Sequence, residues 1–366
     1  MSRSKAGVLG SFHRHALRFA GVLLAATALA GCFPEEEKKA AEGTVSDPKN
    51  PIYFTYAEYP TQVSLVRFAQ ELGYWDKAGI RPKFVGGVDA GQLPALVGKG
   101  EVTFANFMFN RALAAVANGV DLKVIAAQSY TTRDEPHMTY FTRADSTISV
   151  DNLKELEGKT VGLASLGGCA EFILKDLLTK NGIDVKKVKF LTQAESLLQQ
   201  SVENGSVALA VIHPPLNGVM RADKALKAAF SDYDNSQEDG GSAPISANGE
   251  FIRKYPAQTK EFVGIIAKTA NWINANPDKA GDISAKVTGF SREYVTKYYY
   301  VNNLILDENQ LQFWWGLLDR VGSLKPDQAK LKPSDIATNE YNPYAPSAAL
   351  IASQKDNLKV LTATEY

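Results

Sequence analysis

The order of predicted elements between Ile52 and Ile212 constrains the fold most, because the same succession occurs twice. Each half reads as strand, helix, strand, helix, strand, from the spacing of its apolar residues. Both third strands follow similar segments, ALVGKGEVTFANF and QSVENGSVALAVI, in which an apolar helix end leads through a glycine turn into an apolar strand. Alternating strands and helices are typical of parallel sheets covered by helices. The sequence therefore predicts two similarly built α/β lobes.

The apolar runs also set the expected bounds. Predicted strands are 52–56, 81–85, 102–106 and 122–128 in the first half, then 160–164, 188–191 and 207–212 in the second. Segment 129–145 should cross between the lobes without forming a strand, and from about Ala243 the chain should return to the first lobe and end in helices. These bounds assign 51–132 and 240–366 to the first lobe and 133–239 to the second.

The amino terminus has the composition of a targeting segment. Residues 1–31 carry four basic side chains and no acidic ones, and the apolar run 19–28 is too short for a conventional membrane span. Leu29-Ala30-Gly31-Cys32 resembles a bacterial lipobox, in which Cys32 would be acylated and become the first mature residue. The charged segment 32–50 should then be a flexible tether. The protein is expected to be exported and anchored to a membrane by lipid; a plain secretory peptide is the alternative.

Composition excludes some functions. The 366 residues are 45% hydrophobic and 22% charged, as in a globular protein. Beyond residue 31 the chain has 36 basic and 40 acidic side chains and no basic patch, which disfavours nucleic acid as a partner. If Cys32 carries lipid, Cys169 is the only thiol left and no intramolecular disulfide can form.

The stretch KTVGLASLGGCAEF, residues 159–172, should form one wall of a ligand cleft. It reads as a buried strand, a glycine-bearing turn and the start of a helix. A helix start presents free backbone N–H groups, which bind polar ligand groups well. The turn at Gly168 is therefore expected to receive the polar end of a ligand.

Five segments carry a resemblance to a known family: ELGYWDKAGIRPKFV, LPALVGKGEVTFAN, GVDLKVIAA, LKELEGKTVGLAS and WINANPDKA. From Ile52 to about Ala280 the chain resembles the substrate-binding lipoproteins of bacterial ABC importers of the sulfonate, nitrate and taurine type, which include binders of a thiamine pyrimidine precursor. The resemblance implies a type II periplasmic-binding-protein fold, with two doubly wound α/β lobes around a cleft and a hinge. It also implies a monomer that delivers a small molecule to a membrane permease and its ATPase.

In open parallel sheets ligands bind beyond the carboxyl ends of the strands, and similar proteins use these loops for ligand contact. The expected ligand-binding residues are Tyr56, Glu58, Tyr59, Phe107, Met108, Phe109, Asn110, Tyr130, Ser165, Leu166, Gly167, Gly168, Cys169, His213 and Pro214. The apolar and aromatic members favour an organic anion, sulfonate-like and partly aromatic or heterocyclic, over an inorganic one. Arg111 and Arg133 are candidate partners for its charge. A thiamine pyrimidine precursor and a nitrate-like anion remain alternatives.

Motifs for catalysis are scarce. No spacing typical of a metal site, a serine hydrolase or a phosphate loop occurs, so no metal and no cofactor are expected. Cys169 at a helix start and His213 at a strand end keep open an enzyme related to the pyrimidine synthases that share this fold. A ligand sensor would have the same sequence. A binding protein without catalytic activity is the favoured interpretation.

Overall fold

The structure is a computed structural model that describes residues 46–58, 62–237 and 243–353. The expected signal peptide, the expected lipidation site Cys32 and most of the expected tether lie outside these residues. The strands in the described residues are β1 (Ile52–Ala57), β2 (Ile80–Val85), β3 (Phe104–Asn106), β4 (Leu122–Ala126), β5 (Thr139–Arg143), β6 (Thr160–Leu163), β7 (Lys189–Thr192), β8 (Leu209–Ile212), β9 (Leu226–Ser231) and β10 (Ile245–Asn248).

Helices connect most of these strands. They are α1 (Leu65–Glu71), α2 (Leu93–Gly98), α3 (Phe109–Ala117), α4 (Cys169–Lys180), α5 (Glu195–Glu203), α6 (Asn217–Ala222), α7 (Tyr233–Ser236), α8 (Gly249–Lys254), α9 (Pro256–Ala275), α10 (Pro277–Thr288), α11 (Glu308–Arg320), α12 (Pro326–Ala329) and α13 (Pro333–Ile336). Among the described residues, none of the helices combines the length and apolar character that crossing a membrane requires.

The ten strands form two five-stranded sheets of the same design. The first has the order β2-β1-β3-β10-β4 and the second β7-β6-β8-β5-β9. In each sheet four strands run in the same direction, and the fourth strand in the order runs antiparallel to both of its neighbours. The expectation of two doubly wound α/β lobes is confirmed. We call the sheets, with the helices packed on them, lobe 1 and lobe 2.

Purely parallel sheets were expected, and this is wrong at one position in each lobe. The fourth strand of each sheet order, β10 in lobe 1 and β5 in lobe 2, is the strand by which the chain enters that lobe from the other one. Strand β5 lies inside segment 129–145, which was expected to lack a strand. Its residues, TYFTR, are buried at four positions of five, and such short runs carry little periodicity.

The lobe cores differ in composition. In lobe 1 Phe54, Phe104 and Phe262 are almost fully buried, and the rings of Phe104 and Phe262 stack with their centroids 3.9 Å apart. In lobe 2 one core cluster is mainly aliphatic, built around Phe141, Leu198 and neighbouring branched side chains. Helix α11 packs against α3 of lobe 1 and α4 of lobe 2, so it connects the two lobes on one side.

Candidate functional site

A cavity of about 380 Å³ lies between the lobes, at the carboxyl ends of β3, β6, β7 and β8. Lobe 2 contributes the ends of three neighbouring parallel strands, as the rule for open α/β sheets requires. The residues that line the cavity are Gln62, Val88, Asp89, Ala90, Asn106, Phe107, Met108, Arg111, Gln128, His137, Ala164, Ser165, Gly168, Cys169, Ala194, Glu195, Ser196, His213, Ala243 and Tyr298.

The turn between β6 and α4 forms one wall of the cavity. Gly167 has φ +72°, a conformation that favours glycine, and its N–H donates to the Glu171 carboxylate at 2.6 Å. Gly168 caps α4 in an extended conformation, φ −110°, that any residue can adopt. Among the described residues, the N–H groups of Cys169 and Ala170 have no acceptor. The first turn of α4 therefore offers two backbone donors beside the cavity.

Cys169, His213 and Glu195 form a partly buried series of contacts behind this turn. The Cys169 Sγ lies 3.4 Å from Nε2 of His213, and Nδ1 of His213 contacts Oε1 of Glu195. Burial lowers the pKa of the His213 imidazole, but the charges of Glu195 and Cys169 and the hydrogen bonds to them raise it well above its usual value. Oε2 of Glu195 is buried and has no hydrogen-bond partner within the described part of the protein. Cys169, His213 and Glu195 are thus arranged as a thiol, a base and a group that orients the base.

A second imidazole, His137, stands beside the first. The rings of His137 and His213 meet edge to face with centroids 4.9 Å apart, and Nδ1 of His137 lies 3.3 Å from Oδ2 of Asp232. Burial lowers the pKa of His137 more than the hydrogen bond to Asp232 raises it. The neutral ring therefore donates its Nδ1–H to the carboxylate, which leaves Nε2 as the nitrogen that can face the cavity.

Lobe 1 supplies the opposite wall and one cation. The Arg111 guanidinium lines the cavity and donates to Ser165 Oγ and Leu166 O, both at 3.0 Å, and to Gly167 O at 3.3 Å. The described part of the chain places no carboxylate at ion-pair distance from Arg111. Asn110 donates to the same Gly167 carbonyl at 2.8 Å. These side chains hold the two lobes together at the turn, and no carboxylate of the described residues pairs with the charge of Arg111.

Comparison with known proteins places the chain in a family. Residues 61–280, more than half of the chain, match the model of the family described as NMT1/THI5 like. This chain belongs to the NMT1/THI5-like family. The resemblance inferred from the sequence is thereby confirmed.

Relatives and solved structures agree with the fold. A Brucella abortus (strain 2308) protein named as a binding protein is 26% identical over 229 residues, which cover 61% of this NMT1/THI5-like chain and 67% of the relative. The alkanesulfonate-binding protein of Xanthomonas axonopodis pv. citri, bound to MOPS, has a TM-score of 0.61 at 15% identity, covering 76% of this chain and 96% of that one. The periplasmic nitrate-binding protein of Synechocystis PCC 6803 has a TM-score of 0.64 at 11% identity, covering 84% and 93%.

The structure places six of the expected site residues at the cavity wall: Phe107, Met108, Ser165, Gly168, Cys169 and His213. Gly167 and Asn110 lie just behind it, joined by their hydrogen bond, and Leu166 is 54% exposed. Pro214 lines a smaller adjoining cavity of about 60 Å³. Tyr59 lies outside the described residues. The turn and the strand ends of lobe 2 thus meet as expected in this family member.

Four expected residues lie elsewhere. Tyr56 is fully buried and donates to Asn106, Phe109 packs on Trp315, and Tyr130 is buried near Tyr299. Glu58 is paired with Arg67. Of the described rings expected at the mouth, Phe107 lines the cavity, whereas Tyr56, Phe109 and Tyr130 are buried in the protein; Tyr298 adds a ring that the sequence did not predict there. The second candidate cation, Arg133, stacks on Tyr233 away from the cavity.

Sequence reasoning missed eight polar cavity residues of this NMT1/THI5-like protein: Gln62, Asp89, Asn106, Gln128, His137, Glu195, Ser196 and Tyr298. Two of them could have been found by the strand-end rule, since Asn106 ends β3 and Glu195 follows β7 by three residues. His137 gave no such signal, because it precedes β5, which, like β9 and β10, the sequence did not predict.

Proposed function

We propose that this protein is the solute-binding component of an ABC importer and that its ligand is a small organic anion, with a sulfonate as the favoured class. The observation that carries the proposal is the Arg111 guanidinium, which lines an interlobe cavity without a carboxylate partner in the described residues. It stands beside the open N–H groups of the first turn of α4. A guanidinium fork and a helix start are both suited to the oxygens of an anion.

The rest of the cavity favours an organic ligand. Phe107, Met108, Val88 and the alanines of the wall offer apolar contact to a carbon skeleton, whereas an inorganic anion would use only the polar end. The volume of about 380 Å³ suits a small molecule. The alkanesulfonate-binding and nitrate-binding proteins that share the fold are consistent with an oxyanion at the polar end.

The experiment is a calorimetric titration with alkanesulfonates, taurine, an aromatic sulfonate, nitrate and a thiamine pyrimidine precursor. We expect an organic sulfonate to bind, and Arg111→Ala to weaken it at least about tenfold, or 1.4 kcal/mol. Arg111→Lys, which keeps the charge, should lose less, and Arg133→Ala, which removes a cation away from the cavity, should bind as the wild type does. Circular dichroism confirms folding of each variant.

Three outcomes would contradict the proposal. Binding of no organic anion would overturn the ligand class. If Arg111→Ala binds the sulfonate as tightly as the wild type, Arg111 does not contact the ligand. Tight binding of the neutral pyrimidine, unaffected by Arg111→Ala, would favour the precursor-binding alternative.

The proposal includes export and a lipid anchor at Cys32, which brings the binding lobes to a membrane permease. Its support is the order of charged, apolar and lipobox segments at residues 1–32. Fatty-acid labelling of the expressed protein should be lost in Cys32→Ala. Labelling that persists in this variant would show that the anchor is elsewhere.

A further inference from the structure

Three potential metal ligands converge at the base of the cavity. One ligand atom each from His137, Cys169 and His213 lie within 4.8 Å of one another, and all three residues line the cavity. We call these three residues the thiol–imidazole cluster. They come from three separate strand ends of lobe 2, so the cluster is a product of the fold and has no sequence motif.

Each imidazole of the cluster is oriented by a buried carboxylate. Asp232 faces Nδ1 of His137 and Glu195 faces Nδ1 of His213. Asp232 is itself held in place, since its Oδ1 accepts from Thr131 Oγ1 at 2.9 Å and from the Met138 N–H at 3.3 Å. A histidine that binds a metal almost always donates its other ring N–H to such a partner, which fixes the ring and makes the free nitrogen more basic.

The spacing also fits a metal ion. Tetrahedral zinc, with Zn–S of about 2.3 Å and Zn–N of about 2.0–2.1 Å, places neighbouring ligand atoms roughly 3.5 Å apart. Cys169 Sγ and His213 Nε2 are 3.4 Å apart. With every pair within 4.8 Å, small side-chain movements would bring the third ligand to the same centre.

We propose that the thiol–imidazole cluster is a binding site for a divalent transition metal and that zinc is the ion it suits best. One thiolate and two imidazoles form a donor set that zinc favours, whereas hard cations such as Mg²⁺ prefer oxygen ligands. Three protein ligands leave a fourth position open, and this position faces the cavity. The site goes beyond the proposed anion binding and does not depend on it.

A competing use of the same atoms is a nucleophilic thiol activated by His213 and Glu195. That arrangement employs three residues and gives no role to the second carboxylate–imidazole pair, His137 and Asp232. The metal site employs all five residues. It is therefore the interpretation that the structure favours, and the nucleophile is an outcome of the test.

The test uses the full-length protein, purified without a polyhistidine tag and stripped with a chelator. Zn²⁺ is titrated in competition with a chromophoric chelator, and Co²⁺ is added separately as a spectroscopic probe. We expect one Zn²⁺ per chain, and with Co²⁺ a thiolate-to-metal charge-transfer band together with the visible absorption of tetrahedral cobalt.

Variants assign the ligands. Cys169→Ser should abolish the charge-transfer band, and Cys169→Ser and His137→Gln should each weaken Zn²⁺ binding more than 100-fold. Glu195→Gln, which alters only an orienting carboxylate, should weaken it by about 10–100-fold. Asp89→Asn is the matched control, since this carboxylate lines the same cavity outside the cluster; its affinity should equal that of the wild type.

Two results would overturn the metal site. The first is the absence of stoichiometric Zn²⁺ binding, or binding that Cys169→Ser and His137→Gln leave unchanged in folded protein. The second is rapid acylation of Cys169 by an activated ester at a rate that added Zn²⁺ does not alter, which would establish the nucleophile instead. Failure of sulfonate binding would leave these results unaffected, so the two proposals are tested separately.

Discussion

The two walls of the cavity differ in chemistry although the lobes share one topology. Lobe 2 contributes the thiol, both imidazoles and the Glu195 carboxylate, all from strand ends of one sheet. Lobe 1 contributes apolar side chains such as Phe107 and Met108, the amides of Asn106 and Gln128, the Asp89 carboxylate and, among the described residues, a single cation, Arg111. The same fold therefore supports two roles. Lobe 2 supplies the thiol and both imidazoles, and lobe 1 shapes the opposite wall and contacts the lobe 2 turn through Arg111.

Helix α4 connects the lobe 2 wall of the cavity to the contact with lobe 1. Its first residue, Cys169, belongs to the cavity, and Asp176, two turns later, accepts from Arg320 of α11 at 2.7 and 3.0 Å. Because α11 also packs on α3 of lobe 1, the position of the lobe 2 wall is tied to lobe 1 by this ion pair.

The largest change in stability should follow from breaking the ion pair between Asp176 and Arg320. Asp176 is fully buried and also contacts Lys180 and Asn235. Asp176→Asn should therefore lower the free energy of unfolding by about 3 kcal/mol. This is the low end for breaking a buried ion pair, because Arg320 is partly exposed. Urea denaturation measures this. Asp319→Asn, an exposed neighbour, is the control and should change stability by no more than about 0.5 kcal/mol. If both variants are equally stable, the ion pair between Asp176 and Arg320 does not stabilise the fold.

The same carboxylate gives a pH dependence. Burial raises the pKa of Asp176, but the hydrogen bonds from Arg320, Lys180 and Asn235 outweigh it and hold the pKa below its usual value. A lowered pKa stabilises the fold above the unfolded value of about 3.9, and this contribution is lost as pH falls through the folded pKa. The stability difference between wild type and Asp176→Asn should therefore shrink below about pH 4. A difference that stays constant down to pH 2 would contradict this assignment.

Ligand binding should stabilise the protein and bring the two walls of the cavity closer together. A ligand at about one hundred times its dissociation constant should add roughly 2.7 kcal/mol of stability and raise the melting temperature by several degrees. If lobe 1 closes on lobe 2, small-angle X-ray scattering should show a smaller radius of gyration with ligand. In Arg111→Ala the free protein should be more expanded than the wild type. An unchanged radius in both experiments would exclude closure through a hinge.

The contrast between the lobes also explains what the sequence could predict. The repeated helix and strand pattern was sufficient for two lobes, and the strand-end rule located Cys169 and His213 correctly. Strand β5 is short and buried, so it has no amphipathic period, and without it His137 could not be placed beside His213. Tyr56 and Phe109 were assigned to the cavity because the sequence does not reveal which way a residue near a strand end points.

The smallest change in stability is expected for substitutions at two adjacent glycines of the lobe 2 wall, Gly167 and Gly168. The sequence predicted that the turn at Gly168 receives the polar end of a ligand, and within this turn φ is −110° at Gly168 and +72° at Gly167. Gly167→Ala should therefore lower stability by about 1–2 kcal/mol, since a side chain is strained in the left-handed region even though nothing lies within 4 Å of its Cβ position.

Gly168→Ala is the matched variant and should leave stability nearly unchanged. A Cβ at Gly168 would lie 3.5 Å from the Arg111 guanidinium and 3.6 Å from Ser165 Oγ, which are ordinary contacts, but it would enter the cavity at the proposed place of the anion. Denaturation and calorimetry of both variants should give opposite results, with Gly167→Ala losing stability and Gly168→Ala losing ligand affinity. If Gly168→Ala binds as tightly as the wild type, the polar end of the ligand does not lie at the start of α4.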